Sequence, residues 1–176
     1  MKVTKCTKYL QELILMAFDG TEYPGDDNIV LGVYPPNMPD YIAIYNLYKG
    51  HKWNSFNDSF FYSHGEIQSS IGFLTPKAFL YYLPAFMLHI ISDEWSNDIN
   101  GLIGDIFSEL DYTKHSIPSL IFTQMNEIQL KCVALFLSFV FFNSDKYTGF
   151  YAEELKEIID KYWSRFLCYN WDRNCE

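Results

Sequence analysis

Apolar residues return every three or four positions through most of this chain, the spacing that lines up one side of an α-helix. Between Lys5 and Phe18 the residues Tyr9, Leu10, Leu13, Ile14, Met16 and Ala17 recur in this way and predict a first amphipathic helix. "DGTEYPGDDN" then breaks the pattern with glycines, a proline and turn-forming polar residues. Pro35, Pro36 and Pro39 follow closely, so Ile29 to Met38 reads as an extended connector or one short strand. Tyr41, Ile42, Ile44, Tyr45, Leu47 and Tyr48 form the broad face of a second helix, with Asp40 as its candidate cap and Gly50 as its stop. The pattern weakens next. Trp53, Phe56, Phe60 and Phe61 suggest a short helix, Ser63 to Gly65 a turn, and Glu66 to Phe73 a loop or brief strand.

The clearest local signal is "FLTPKAFLYYLPAFML". Thr75 before Pro76 is an N-cap with proline at the first helical position, where its missing N–H costs nothing. Phe79, Leu80, Leu83, Phe86, Met87, Ile90 and Ile91 then repeat at helical spacing. Pro84 cannot donate to the carbonyl of Leu80, so a kink or an interruption is expected there. Tyr81 and Tyr82 project about 100° apart on a helix. That angle predicts that one packs inward while the other reaches the surface, without forming a paired site.

Further on, Ser96, Asn97 or Asp98 can cap "INGLIGDIFSEL", and Thr123, Asn126 and Glu127 resemble another capping arrangement. The run from Ile128 to Phe142 is apolar nearly all round, as befits a central buried helix. A last helix runs from about Phe150 to Leu167, with Leu155, Ile158, Ile159, Tyr162, Trp163 and Phe166 facing in. No internal repeat interrupts the series. The fold expected is mainly α: a single domain over residues 1–176, a bundle of five or six helices with one proline-kinked helix and room for one short strand pair.

Composition narrows the function more than the fold. The 176 residues are 49% hydrophobic and 19% aromatic, enough for one sizeable core and too apolar for disorder. Against 13 basic residues stand 22 acidic ones, a net charge of −9. Such a surface repels phosphate backbones and steers basic proteins inward. No nucleic-acid partner is expected. The longest apolar run, "CVALFLSFVFF", has 11 residues, short of a membrane span. Lys2, Lys5 and Lys8 before an apolar stretch echo a signal peptide, but Gln11 and Glu12 interrupt it. Cys6, Cys132, Cys168 and Cys175 are scattered without a CxxC, so a reduced, cytoplasmic protein is expected.

Candidate chemistry is sparse. His51, His64, His89 and His115 show no metal-binding spacing, and neither a nucleophile motif nor a phosphate-cradling glycine loop is present. The acid pairs Asp26–Asp27, Asp93–Glu94 and Glu153–Glu154 are adjacent in sequence, and neighbouring side chains diverge too far for concerted acid–base work. No metal, no cofactor and no catalytic residue is assigned.

Four segments, "LILMAFDGTEYPGDDNIV", "GHKW", "FLTPKAFLYYLPAFML" and "FTQMNEIQLKCVALFLSF", appear in order between Leu13 and Phe139. In this the chain resembles an uncharacterised family of bacterial proteins, a domain of unknown function whose specific motif is TPxAFxYYLPAFM. The resemblance implies a small helical cytoplasmic protein and carries over no catalytic residue.

Two functions therefore stand as expectations. The first is a non-catalytic binding protein, most concretely an immunity protein that neutralises a basic bacterial toxin domain. Its contacts would come from acids beside aromatic anchors: Tyr23 with Asp26 and Asp27, Phe56 with Asp58, and Asp93 and Glu94 with Trp95. The second is a small-molecule-binding protein or enzyme whose pocket opens at the Pro84 kink, with Trp53, Tyr81, Tyr82 and His89 supplying polar tips. The tyrosine and tryptophan content is also compatible with a homo-oligomer.

Overall fold

The computed structural model describes residues 5–64, 67, 69–92, 99–111, 120–143 and 152–167. Among these residues there are eight α-helices: α1 (Lys5–Phe18), α2 (Pro39–Tyr48), α3 (Asp58–Ser63), α4 (Pro76–Ile91), α5 (Ile99–Leu110), α6 (Leu120–Gln124), α7 (Glu127–Phe142) and α8 (Ala152–Lys161). Short 3-10 turns cover Asp26–Asn28, Trp53–Ser55, Ile71–Phe73 and Trp163–Phe166. The count exceeds the five or six expected: the short helix suggested by Trp53 to Phe61 divides into the turn at Trp53 and the six-residue α3, and the five-residue α6 stands apart from α7. Neither α3 nor α6 is long enough to show two turns of periodicity. The strand pair reduces, among the described residues, to one antiparallel bridge between Val30 and Leu74. Leu31 N–H donates to Phe73 O at 2.8 Å and Thr75 N–H to Ile29 O at 2.9 Å, and the prolines beyond Tyr34 extend this no further.

Two helices carry the core. α4 contacts α1, α5, α6 and the turn at Trp53, while α7 contacts α1, α8 and the turn at Trp163. α1 lies between them and buries Leu10, Ile14, Ala17 and Phe18. Its stripe is narrower than the sequence pattern: Tyr9 and Met16, expected to face in, are exposed. Trp163 is fully buried and donates its indole N–H to Leu110 O at 3.1 Å, tying the end of α8 to the end of α5.

The start of α4 follows the sequence reading. The Thr75 hydroxyl accepts from Ala78 N–H at 3.1 Å, its own proton goes to Asn28 O, and Pro76 takes the first helical position. The helix runs without interruption through Pro84. From Ala78 to Ile91 every residue except Leu88 is buried, so Tyr81 (4% exposed) and Tyr82 (0%) both face protein. The expected inside–outside division of the two tyrosines fails because this helix has no solvent side. At α2 the cap is Met38 with Pro39 next, which leaves Asp40 one place inside the helix instead of capping it. At α7, Asn126 and Gln129 form a reciprocal capping box, and Gln129 Nε2 also reaches Thr21 Oγ1 at 3.3 Å. Cys132 is buried and free, whereas Cys6 is disulfide-bonded, a departure from the reduced thiols expected from sequence spacing.

Candidate functional site

The chain turns sharply where α2 ends. Lys49 closes the helix through its N–H to Tyr45 O, and Gly50 follows at φ 71°, a left-handed conformation that glycine adopts without steric cost. The turn leaves carbonyls and an N–H pointing back at the core, and tyrosines from other elements meet them. The Tyr82 hydroxyl lies 2.7 Å from Tyr48 O and 3.0 Å from His51 O and shares its proton between them. Tyr48 O–H donates to Ser70 Oγ at 2.6 Å, and Ser70 passes its own proton to Ile67 O at 2.7 Å. Tyr81 is hydrogen-bonded to the backbone of Trp53 and packs edge-on against Tyr82 and Tyr23, at 4.9 and 5.4 Å between centroids.

This corner reaches the surface through Tyr23. Gly50 N–H donates to the Tyr23 oxygen at 2.8 Å, and Tyr23 O–H donates to Asp26 Oδ1 at 2.7 Å. The other carboxylate oxygen, Oδ2, lies 3.8 Å from Lys49 Nζ, which sits over the Tyr45 ring at 5.0 Å from its centroid. Tyr45 stacks on Tyr41, one turn earlier, at 6.1 Å. Burial pushes the phenols of Tyr48 and Tyr82 far above the ordinary tyrosine range. It also raises Tyr23, where the Gly50 N–H works against the rise and Asp26 adds to it. The phenols therefore stay protonated donors at neutral pH. The outer rim is acidic: Asp27, Glu22 and Asp19 are exposed beside half-buried Asp26.

A second polar constellation lies around α3. Asn57 caps it by accepting from Phe60 N–H at 3.0 Å, which places Asp58 in its first turn. Asp58 Oδ1 is 2.7 Å from Nδ1 of the buried His89, and Ser92 Oγ donates to the same oxygen at 3.3 Å. The imidazole lies parallel to Phe61, 4.0 Å away and 1° off plane. A carboxylate at Nδ1 keeps the proton on that nitrogen and leaves Nε2 as the outer ring position. No hydrogen bond to Nε2 forms among the described residues. His51 and His64 join the same region, packing on Phe60 at 5.8 and 4.3 Å. Three of the four histidines, widely separated in sequence, thus meet around one short helix.

The residues proposed for partner binding are distributed unevenly. Tyr23 and Asp26 are joined, and Asp27 is exposed next to them. Phe56 is buried among Tyr48, Phe60 and Tyr82, so it is no surface anchor; its aromatic neighbours outcompete water for the ring. Asp58 turns to His89. Asp93, Glu94 and Trp95 lie outside the described residues. Of the alternative pocket, Trp53, Tyr81, Tyr82 and His89 are all buried. The hydroxyls of Tyr81 and Tyr82 serve the protein's own backbone instead of an open site. The two sets are also not separate, since Tyr23 packs on Tyr81, Phe56 on Tyr82, and Asp58 pairs with His89. Sequence reasoning missed Tyr45 and Lys49. Their spacing with Tyr41, four and eight residues along α2, was the available signal.

Among the described residues no three His, Cys, Asp or Glu side chains gather as a metal site, and no helix is long and apolar enough to cross a membrane. The sequence model described as "Family of unknown function (DUF6714)" matches residues 38–167. The chain belongs to that family. The match includes "GHKW", the YYLP helix and α7, and begins after the "DGTEYPGDDN" loop. No curated protein and no solved structure matches the chain.

Proposed function

We propose that this member of a family without an assigned activity binds a basic protein partner and performs no chemistry of its own, most concretely as an immunity protein that neutralises a basic bacterial toxin domain. One observation carries the reading: the Asp26 carboxylate is half-exposed yet held at 2.7 Å by Tyr23, itself anchored at 2.8 Å by Gly50, beside the exposed Asp27. A carboxylate already fixed in place loses little freedom when a cation docks on it. The net charge of −9 would speed the encounter with a basic protein. The immunity role rests on that charge logic and on the lack of a recognised reaction motif.

The test is capture of partners from bacterial lysate with the tagged protein across a salt gradient. A basic protein held at stoichiometric amounts in low salt, and lost from an Asp26→Lys/Asp27→Lys variant that keeps its fold, supports the reading. Capture unaffected by charge reversal, or no basic protein at any salt, overturns it. The reading also places the protein in the cytoplasm. The disulfide at Cys6 stands against that placement, and alkylation of thiols trapped in intact cells decides it: a reduced Cys6 there supports the cytoplasm and an oxidised one overturns it.

A second reading, a small-molecule-binding or catalytic site near Pro84, has the Asp58–His89 geometry in its favour. A carboxylate-oriented imidazole is the usual form of a general base. Heteronuclear NMR of the His89 ring during a metabolite screen tests it: a ligand that moves the Nε2 resonance favours this reading, and an unmoved ring removes its support.

A further inference from the structure

Lys49 occupies a seat that other residues build. One wall is the Tyr45 ring, which faces the ammonium at 5.0 Å and is backed by Tyr41. The other wall is Asp26, 3.8 Å away and fixed by the Tyr23 hydroxyl. The positions of both walls are set by Tyr41, Tyr23 and Gly50, so they persist without the lysine. The lysine is held loosely by comparison. Its side chain keeps 48% of its exposure and that of Asp26 43%, and ion pairs so exposed contribute little to stability. An aromatic face with a carboxylate at its edge is general chemistry for holding a cation. It suits a guanidinium better than an ammonium, because the planar group stacks on the ring while offering paired N–H donors to the carboxylate. Ile42 is exposed one residue beyond Tyr41 on α2, and Asp27, the exposed chain neighbour of Asp26, adds a further negative charge.

We propose that the seat between Tyr45 and Asp26 receives an arginine side chain of the basic partner, and that Lys49 is a resident surrogate displaced when the partner docks. This rests on the reading of the protein as a binder of a basic protein, and adds the residue type recognised and the point of entry. It also makes Lys49 an internal competitor. A methionine there retains the apolar stem and removes the competing charge.

The experiment uses the full-length 15N-labelled protein with two uncharged-terminus peptides of equal charge, one carrying arginines and one lysines, titrated by NMR. The seat predicts saturable shifts centred on Tyr23, Tyr45 and Gly50, with the arginine peptide favoured by about two- to five-fold, the range of a cation–π contact at an exposed site. Lys49→Met tightens the arginine peptide, Asp26→Asn weakens it, and Tyr45→Leu reduces the arginine preference to what paired donors to Asp26 alone give. Tyr45→Phe keeps the ring face and retains that preference, which separates loss of the seat from loss of folding. Equal binding of the two peptides, an unchanged affinity in Lys49→Met, or shifts that avoid this corner overturns the proposal. The wider reading falls on a different result, the salt-dependent capture described above, so each can fail alone.

Discussion

Replacing Tyr82 by phenylalanine removes one hydroxyl and leaves the ring, so the packing against Tyr48, Phe56 and Tyr81 is preserved. What disappears is the donor shared between Tyr48 O and His51 O. Tyr48 O still accepts from His51 N–H at 3.1 Å, so of the two carbonyls that of His51 is the one left without its partner. The cost is then at the modest end of an unsatisfied buried acceptor, about 1–2 kcal/mol near neutral pH. In a domain of this size that lowers Tm by about 2–8 °C. The sign reverses in alkali. Burial raises the Tyr82 pKa in the folded state above its ordinary value of 10.0, so the stability it contributes is complete below that pH and lost as pH rises towards the folded value. The unfolded chain gains about 1.4 kcal/mol per pH unit from ionising this phenol, and phenylalanine offers no such gain. The gap between wild type and Tyr82→Phe should close by about pH 11. Urea unfolding of both proteins in steps from neutral to alkaline pH measures it. A gap that stays constant across the range, or a variant as stable as wild type at neutral pH, refutes the assignment of the hydroxyl to the turn.

Three further outcomes follow from the same structure. Asp105 is half-buried on α5 and burial raises its pKa, so its ionised form opposes folding once the pH passes its ordinary value of 3.8. Asp105→Asn should therefore raise Tm at neutral pH and have no effect near pH 3, read by calorimetry. Asn126→Ala removes the acceptor for Gln129 N–H and should cost about 1 kcal/mol in chemical denaturation. The Cys132 thiol is buried and pushed up to about 12, so in native protein at mildly alkaline pH it should react with iodoacetamide only as fast as the chain opens. Rapid labelling without unfolding would contradict its burial.

Features that depend on neighbours in sequence were legible before the structure. The Thr75–Pro76 start of α4, the bounds of α1 and the capping residue Asn126 all rest on contacts within four residues. The apolar run of α7 correctly marks a core helix, since no other placement would hide it. The burial of both Tyr81 and Tyr82 was not legible, because periodicity assumes a solvent side that α4 lacks. Phe56 beside Asp58 looked like an anchor ringed by charge, yet whether a phenyl faces water depends on Tyr48 and Tyr82, eight and 26 positions away in opposite directions. The corner itself is made by pairs such as Tyr23 with Gly50 and Tyr82 with His51, 27 and 31 residues apart. No local pattern encodes such meetings. Only the acidic, aromatic composition hinted that they would matter.

The link between Gln129 and Thr21 spans 108 residues, and α1 is covered by α7 as much as by α4. During synthesis at ~5–20 residues per second, the first helix therefore waits about 5–20 s for its second wall. Through that interval the buried stripe of α1, with Leu10, Ile14 and Phe18, is only partly enclosed. A chain halted after α4 would present this stripe to chaperones or to other nascent chains. The N-terminal helix is in this sense made first and sealed late, and ribosome-bound chains arrested before and after α7 should differ sharply in their susceptibility to protease within α1.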